Sequence, residues 1–179
     1  HRIRPVVYRV LLNATIPADY SQQLKNELHA ITIQNFTIAQ ETERIVKLLA
    51  EHAIHVIPYK GVAFSKAFYG DISMRESSDI DLIINPADID KLLPILINDG
   101  YKCHYEKSLA RIDRNTLLNQ QKDICFDKFG STPFHLEFHW RITHPNFLTP
   151  KQIREFSKDE SGQITFSNIE HFQIGRAHV

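Results

Sequence analysis

Residues 75–84 read Arg75-Glu76-Ser77-Ser78-Asp79-Ile80-Asp81-Leu82-Ile83-Ile84. Ile80, Leu82, Ile83 and Ile84 make a short apolar run closed by Asn85-Pro86, which reads as a strand. Side chains on a strand alternate with period two, so Asp79 and Asp81 share a face at its start. Two carboxylates held side by side repel unless a cation lies between them. Magnesium is held by one or two carboxylates together with substrate phosphates. Asp79 and Asp81 are therefore candidate ligands for Mg²⁺ or Mn²⁺. A lone Asp-x-Asp also describes a solvated strand end, so the neighbouring segments have to decide between the two.

Upstream, Val56-Ile57-Pro58-Tyr59 is a short strand, followed by Lys60-Gly61 and a helix over 62–69 that Gly70-Asp71 closes. A glycine between strand and helix exposes backbone N–H groups at a helix N-terminus, which suits an anion. Lys60 and Arg75 are candidate cations for a triphosphate, Arg75 having the alternative of a surface pair with Glu76 or Asp71. Ser77 and Ser78 cap the turn or touch phosphate. Downstream, 88–99 is an amphipathic helix with Ile89, Leu92, Leu93, Leu96 and Ile97 inward, Pro94 inside and Gly100 at its end. Strands are expected at 101–105 and 123–129, separated by an ambiguous polar stretch at 109–121. After a turn at Gly130-Ser131-Thr132-Pro133, residues 134–142 alternate sharply. Phe134, Leu136, Phe138 and Trp140 form one face, and His135, Glu137, His139 and Arg141 the other. Glu137 is thus a candidate third carboxylate, with Trp140 in the core.

The order strand, glycine turn, helix, Asp-x-Asp strand, helix, acidic strand resembles the nucleotidyltransferases of the polymerase-β-like superfamily. The closest likeness is to a bacterial branch known as the uncharacterised nucleotidyltransferase family. It rests on Lys60-Gly61, Tyr69-Gly70-Asp71, Arg75, Ser78-Asp79-Ile80-Asp81-Leu82, Gly100-Tyr101 and His135-Leu136-Glu137-Phe138-His139-Trp140, over roughly residues 50–145. The resemblance implies an α+β fold, with a short mixed sheet and flanking helices. It implies metal-dependent transfer of a nucleoside monophosphate from an NTP to an acceptor hydroxyl. Asp79, Asp81 and Glu137 would be the metal-binding and catalytic carboxylates, and Lys60, Gly61, Arg75 and Ser78 would bind the nucleotide. Classical members carry Gly-Ser or Gly-Gly at the turn, whereas Val62 follows Gly61 here; Ser65 or Ser77 is the candidate replacement hydroxyl. The alternative is a catalytically silent nucleotide-binding or interaction module of the same fold.

His135 and His139 flank Glu137 and raise a rival zinc reading. Positions i and i+4 on a strand lie about 13 Å apart, too far to share one ion, so the two histidines are expected at the pocket edge or on the surface.

Residues 1–52 are expected to form an N-terminal helical layer, capped at Asp19 or Ser21 for its long helical run over 19–52, with Ile31-Thr32-Ile33 as a point of bending or division. The core is expected over 53–145, and 146–173, with a weak helix near 152–156, as the start of a truncated C-terminal part. Ile174-Gly175-Arg176-Ala177-His178-Val179 is the translation of ATC-GGA-AGA-GCA-CAC-GTC, which resembles a sequencing adapter. The expectation is that the biological sequence stops near Phe172 and belongs to a longer parent.

The 179 residues carry 21 Lys+Arg against 21 Asp+Glu, a balance unlike the basic excess of nucleic-acid binders. An unknown small molecule or protein is then the expected acceptor. No apolar stretch has the length of a membrane span. Cys103 and Cys125 make no motif and read as reduced thiols of a cytoplasmic protein.

Overall fold

The computed structural model describes residues 3–104 and 114–141. The expected C-terminal part, its weak helix and the tail at 174–179 lie outside the described residues. Two helices open the chain: α1 (Arg4–Leu12) and the 34-residue α2 (Ala18–Glu51). α2 buries one stripe, Ile31, Asn35, Ile38, Thr42, Ile45 and Leu49, at the three- and four-residue steps that keep side chains on one helical face. That stripe holds the helix continuous through its β-branched middle, where intrinsic propensity costs only tenths of a kcal/mol per residue. Thr32 and Thr37 bond back to the carbonyls of Leu28 and Ile33 (2.8 and 3.0 Å), sharing the ladder's acceptors at a small cost that the buried stripe outweighs. The N-cap is Pro17 rather than Asp19 or Ser21, with no side-chain cap bond; Asp19 stands in the first turn, where the helix dipole favours an anion.

Then follow β1 (Val56–Pro58), α3 (Gly61–Tyr69), a 3₁₀ turn at Ile72–Met74, β2 (Ile80–Ile84), α4 (Ile89–Asn98), β3 (Lys102–Cys103), α5 (Arg114–Gln120), β4 (Asp123–Lys128) and β5 (Phe134–His139). β2 starts one residue later than the sequence suggests, leaving Asp79 just before it. α4 tolerates Pro94 within its span. Its Ile97 and, past β4, Phe129 are exposed rather than inward, Phe129 lying beyond the last paired residue of the strand.

The five strands order as β1-β2-β5-β4-β3, parallel only between β2 and β5. The fold is α+β, with a mixed sheet and flanking helices. Ile80, Leu82 and Ile84, Ile124 and Phe126, and Leu136 and Phe138 bury one sheet face in a core shared with Ile45 and Leu49 of α2 and Leu92 and Leu96 of α4. Trp140 joins that core and donates its indole N–H to the Leu118 carbonyl (3.2 Å). Alternation therefore directs Asp81, Asp123, Cys125, Asp127, His135, Glu137 and His139 to the opposite face.

Candidate active site

Register builds the site. Asp81 pairs with Glu137 across the parallel β2–β5 ladder, and Glu137 pairs with Cys125 across β5–β4. The next β5–β4 pair on this face is His139 with Asp123. His139 Nε2–H points between the two carboxylates, 3.0 Å from Asp81 Oδ1 and 3.2 Å from Glu137 Oε2. Its Nδ1 lies 3.5 Å from Asp123 Oδ2, and Lys122 pairs with Asp123. The Tyr59 ring stands edge-on to the imidazole, centroids 5.2 Å apart.

His139 is 1% exposed and sits at the centre of the cluster, correcting its placement at the pocket edge or surface. Polar alternation locates a face but says nothing about how deeply neighbouring strands bury it. Burial pushes the imidazole pKa down, but the bonds to Asp81 and Glu137 outweigh it and the pKa is raised. The His139 bond, against burial, holds Glu137 down to about 2, with the charges of Lys122 and Lys60 adding to it. Cys125 is pushed up to about 12 by burial and then by Asp123 and Glu137, so its thiol stays protonated.

The glycine turn adjoins Asp81 because the Tyr59 N–H bonds the Asp81 carbonyl (3.1 Å), continuing β1 alongside β2. Lys60 Nζ donates to Asp81 Oδ1 (2.9 Å) and lies 4.7 Å from the Tyr59 ring centroid. Its backbone, at φ 48° and ψ −161°, occupies a region other residues leave to glycine, a strain of about 1–3 kcal/mol of the kind that collects at functional sites. Gly61 follows at φ 48°, and a Cβ there would stand 3.4 Å from the Asp79 carbonyl and 3.6 Å from Ser77 Oγ. The turn is thus packed on the 77–79 segment. Of the two candidate hydroxyls, Ser65 is committed to the Asp71 carbonyl (2.7 Å), whereas Ser77 Oγ is buried without a hydrogen-bond partner.

The two carboxylates offered as alternative partners of Arg75 are engaged from α1, Glu76 by Arg4 and Asp71 by Arg9. The Arg75 guanidinium lies 5.7 Å from the Phe64 ring centroid. Ser78 is exposed and Asp79 half-buried. Asp81, Glu137 and His139 bring one ligand atom each within 4.8 Å of one another, and Cys125, His135 and Glu137 do the same; Asp79 belongs to neither group. Asp81 Oδ2 is buried with no hydrogen-bond partner, a deficit of at least about 1–3 kcal/mol for a polar atom. Two oxygen donors, one of them open, fit a hard divalent cation.

Asn35 is a neighbour of the candidate site that the sequence does not reveal. It is fully buried on α2 and holds the segment leading into Asp79. Its Nδ2 donates to the Ile72 and Arg75 carbonyls (2.7 Å each), and its Oδ1 accepts the Ser77 N–H (3.1 Å). Gln34 adds a bond to the Ser77 carbonyl (2.7 Å). Helical periodicity marks position 35 only as inward-facing.

This sheet, with its paired carboxylates beside a strained glycine turn, is consistent with a nucleotidyltransferase, and the family comparison agrees. The family model described as uncharacterised nucleotidyltransferase matches residues 1–174, and the chain belongs to that family. No curated protein and no solved structure matches it. None of its described helices is long and apolar enough to cross a membrane.

Proposed function

We propose that the chain moves a nucleoside monophosphate from an NTP to an acceptor hydroxyl and releases pyrophosphate. The acceptor oxygen forms a bond to the α-phosphorus as the bond from that phosphorus to the bridging oxygen of the β-phosphate breaks. Asp79, Asp81 and Glu137 would hold Mg²⁺ or Mn²⁺, which would supply stabilisation of the attacking and leaving oxygens. Lys60 turns from Asp81 toward the incoming phosphates, and Arg75 faces the same charge. The backbone N–H groups after Gly61 take the anion, with the Ser77 hydroxyl beside them and Ser78 at the rim. Glu137 would bind the metal and help take up the acceptor hydroxyl's proton, which passes on to water. Neutral overall charge favours a small molecule or protein over a long nucleic acid as acceptor. Cytoplasmic NTP and the free Cys103 and Cys125 fit the same compartment.

The observation that carries this reading is the register-locked pair of Asp81 and Glu137, with one Asp81 oxygen buried and open. Mg²⁺ or Mn²⁺ with an NTP should raise the melting temperature, since a ligand at about 100 times its Kd adds about 2.7 kcal/mol. Asp79→Asn or Asp81→Asn should remove the metal-dependent part; an unchanged shift in both would overturn the assignment. Glu137→Gln should fold, still bind nucleotide, and lose pyrophosphate release by a large factor. Nucleotide binding without pyrophosphate release in the wild type, with every acceptor tried, would favour the silent module instead.

A further inference from the structure

A second group of ligating side chains stands on the same sheet face, toward β3, and the proposed reaction does not use it. Asp127 on β4 is directly opposite His135 on β5. His104 follows β3, its N–H bonded to the Cys125 carbonyl (3.0 Å). Asp127 meets one imidazole on each oxygen: His135 Nδ1 lies 2.6 Å from Oδ1, and His104 Nε2 contacts Oδ2. One ligand atom from each residue falls within 4.8 Å of the other two, and the rings lie 5.4 Å apart. All three side chains are partly open, at 42%, 26% and 32% exposure for His104, Asp127 and His135, so an ion can enter without unfolding the sheet.

We infer that His104, Asp127 and His135 bind a transition ion of the zinc class at a centre separate from Asp81 and Glu137. Two imidazole nitrogens and a carboxylate oxygen are the donors such ions take, whereas magnesium asks for oxygen throughout. Tetrahedral zinc, with bonds of about 2.0–2.1 Å, places adjacent donors about 3.4 Å apart, within the span these three atoms already cover. Histidine ligands characteristically give their other ring N–H to a carboxylate, which fixes the tautomer and ring orientation. His135 is set for this, with Nε2 3.4 Å from Glu137 Oε1. An ion on Nδ1 therefore leaves the ring proton on Nε2, facing the proposed catalytic carboxylate. The ion would tie the end of β3 to β4 and β5 and keep a fourth position for water or a substrate group. His135 and His139 do not form this centre together, since their bonded carboxylates differ, Asp127 for one and Asp81 for the other.

The test uses the full chain, stripped by chelator and titrated with Zn²⁺, and with Co²⁺ for its visible spectrum, in excess Mg²⁺. One equivalent should bind, unaffected by Mg²⁺, with cobalt absorption of tetrahedral intensity. Asp81→Asn and Cys125→Ser should bind as the wild type does. His104→Ala and Asp127→Asn should weaken binding by at least about 100-fold, beyond the roughly 10–100-fold cost of losing an outer partner. His104→Gln, checked by circular dichroism, separates loss of a ligand from loss of fold. Full binding in the His104 variants, or its loss in Asp81→Asn, would place the ion at Asp81, Glu137 and His139 and overturn the inference. Loss in Cys125→Ser with a sulfur-to-cobalt charge-transfer band would overturn it in favour of Cys125, His135 and Glu137. No binding above the buffer baseline would reduce the cluster to its hydrogen bonds and overturn it as well.

Discussion

Glu137 and His139 titrate in opposite directions, and their linkage to stability has opposite signs. The folded-state value of Glu137, about 2, lies below the ordinary value of about 4.3. Its contribution is therefore present above about pH 4.3 and lost as pH falls through about 2. His139 is raised above its ordinary value, burial opposing and the bonds to Asp81 and Glu137 prevailing. Its contribution is complete below about pH 6.5 and disappears as pH rises through the folded value. These two groups thus favour a stability plateau between about pH 4.3 and 6.5, to be followed by thermal melts from pH 2 to 9. Glu137→Gln should make the acid limb shallower without abolishing it, because Asp71, Asp99 and Asp127 are also lowered in the fold. An acid limb of unchanged steepness would show that Glu137 carries none of it.

At the scale of elements, α2 is a support for the site as well as a packing layer. Asn35→Leu would leave the Ile72 and Arg75 carbonyls and the Ser77 N–H without their partner. With about 1–3 kcal/mol for each buried unpaired group, relieved in part by water, the expected loss is about 2–4 kcal/mol in urea unfolding, together with weakened nucleotide binding. Gln34→Ala, which removes one part-buried bond, should cost only about 0.5–1.5 kcal/mol. Equal losses would show that the clamp is not centred on Asn35. The contrast also marks what the sequence could convey. Alternation in 134–139 displays a strand and its two faces because it is local, and the glycine turn is visible for the same reason. Which strand lies beside β2, and with which register, depends on contacts some fifty residues apart; so the polar face of 134–142 made Glu137 a candidate third carboxylate, and its pairing with Asp81 is written in no local pattern. His104 lay next to a run with no sharp pattern, and its partners are on two other strands. Asn35 and His139 owe their roles to burial by distant segments, which periodicity does not encode.

Across the whole molecule, a charged network fastens α2 to the far side of the sheet. Arg44 donates to Glu41 (2.7 and 2.8 Å) and to Asp99 after α4 (2.5 and 2.9 Å), and Lys128 at the end of β4 reaches Asp99 (3.1 Å). Tyr101, 2% exposed just before β3, donates its hydroxyl to Glu41 Oε1 (2.6 Å). For Glu41, burial raises the carboxyl pKa, but the bonds from Arg44 and Tyr101 outweigh it and the group is lowered. Such a pair contributes chiefly by having every member satisfied, since a buried carboxylate that loses a donor keeps its desolvation cost. Tyr101→Phe retains the ring and its place in the core and removes only the hydroxyl. A bond to a charged acceptor contributes about 1.5–3 kcal/mol, so the variant should lower the urea midpoint accordingly with its slope unchanged, as expected when the folded and unfolded surfaces stay the same. Tyr101→Phe combined with Glu41→Gln should cost less than the sum of the two single changes, because the second acts on a bond already removed. Strict additivity in that double-mutant cycle would mean that the Tyr101 hydroxyl and Glu41 are not coupled, and that packing alone joins α2 to the start of β3.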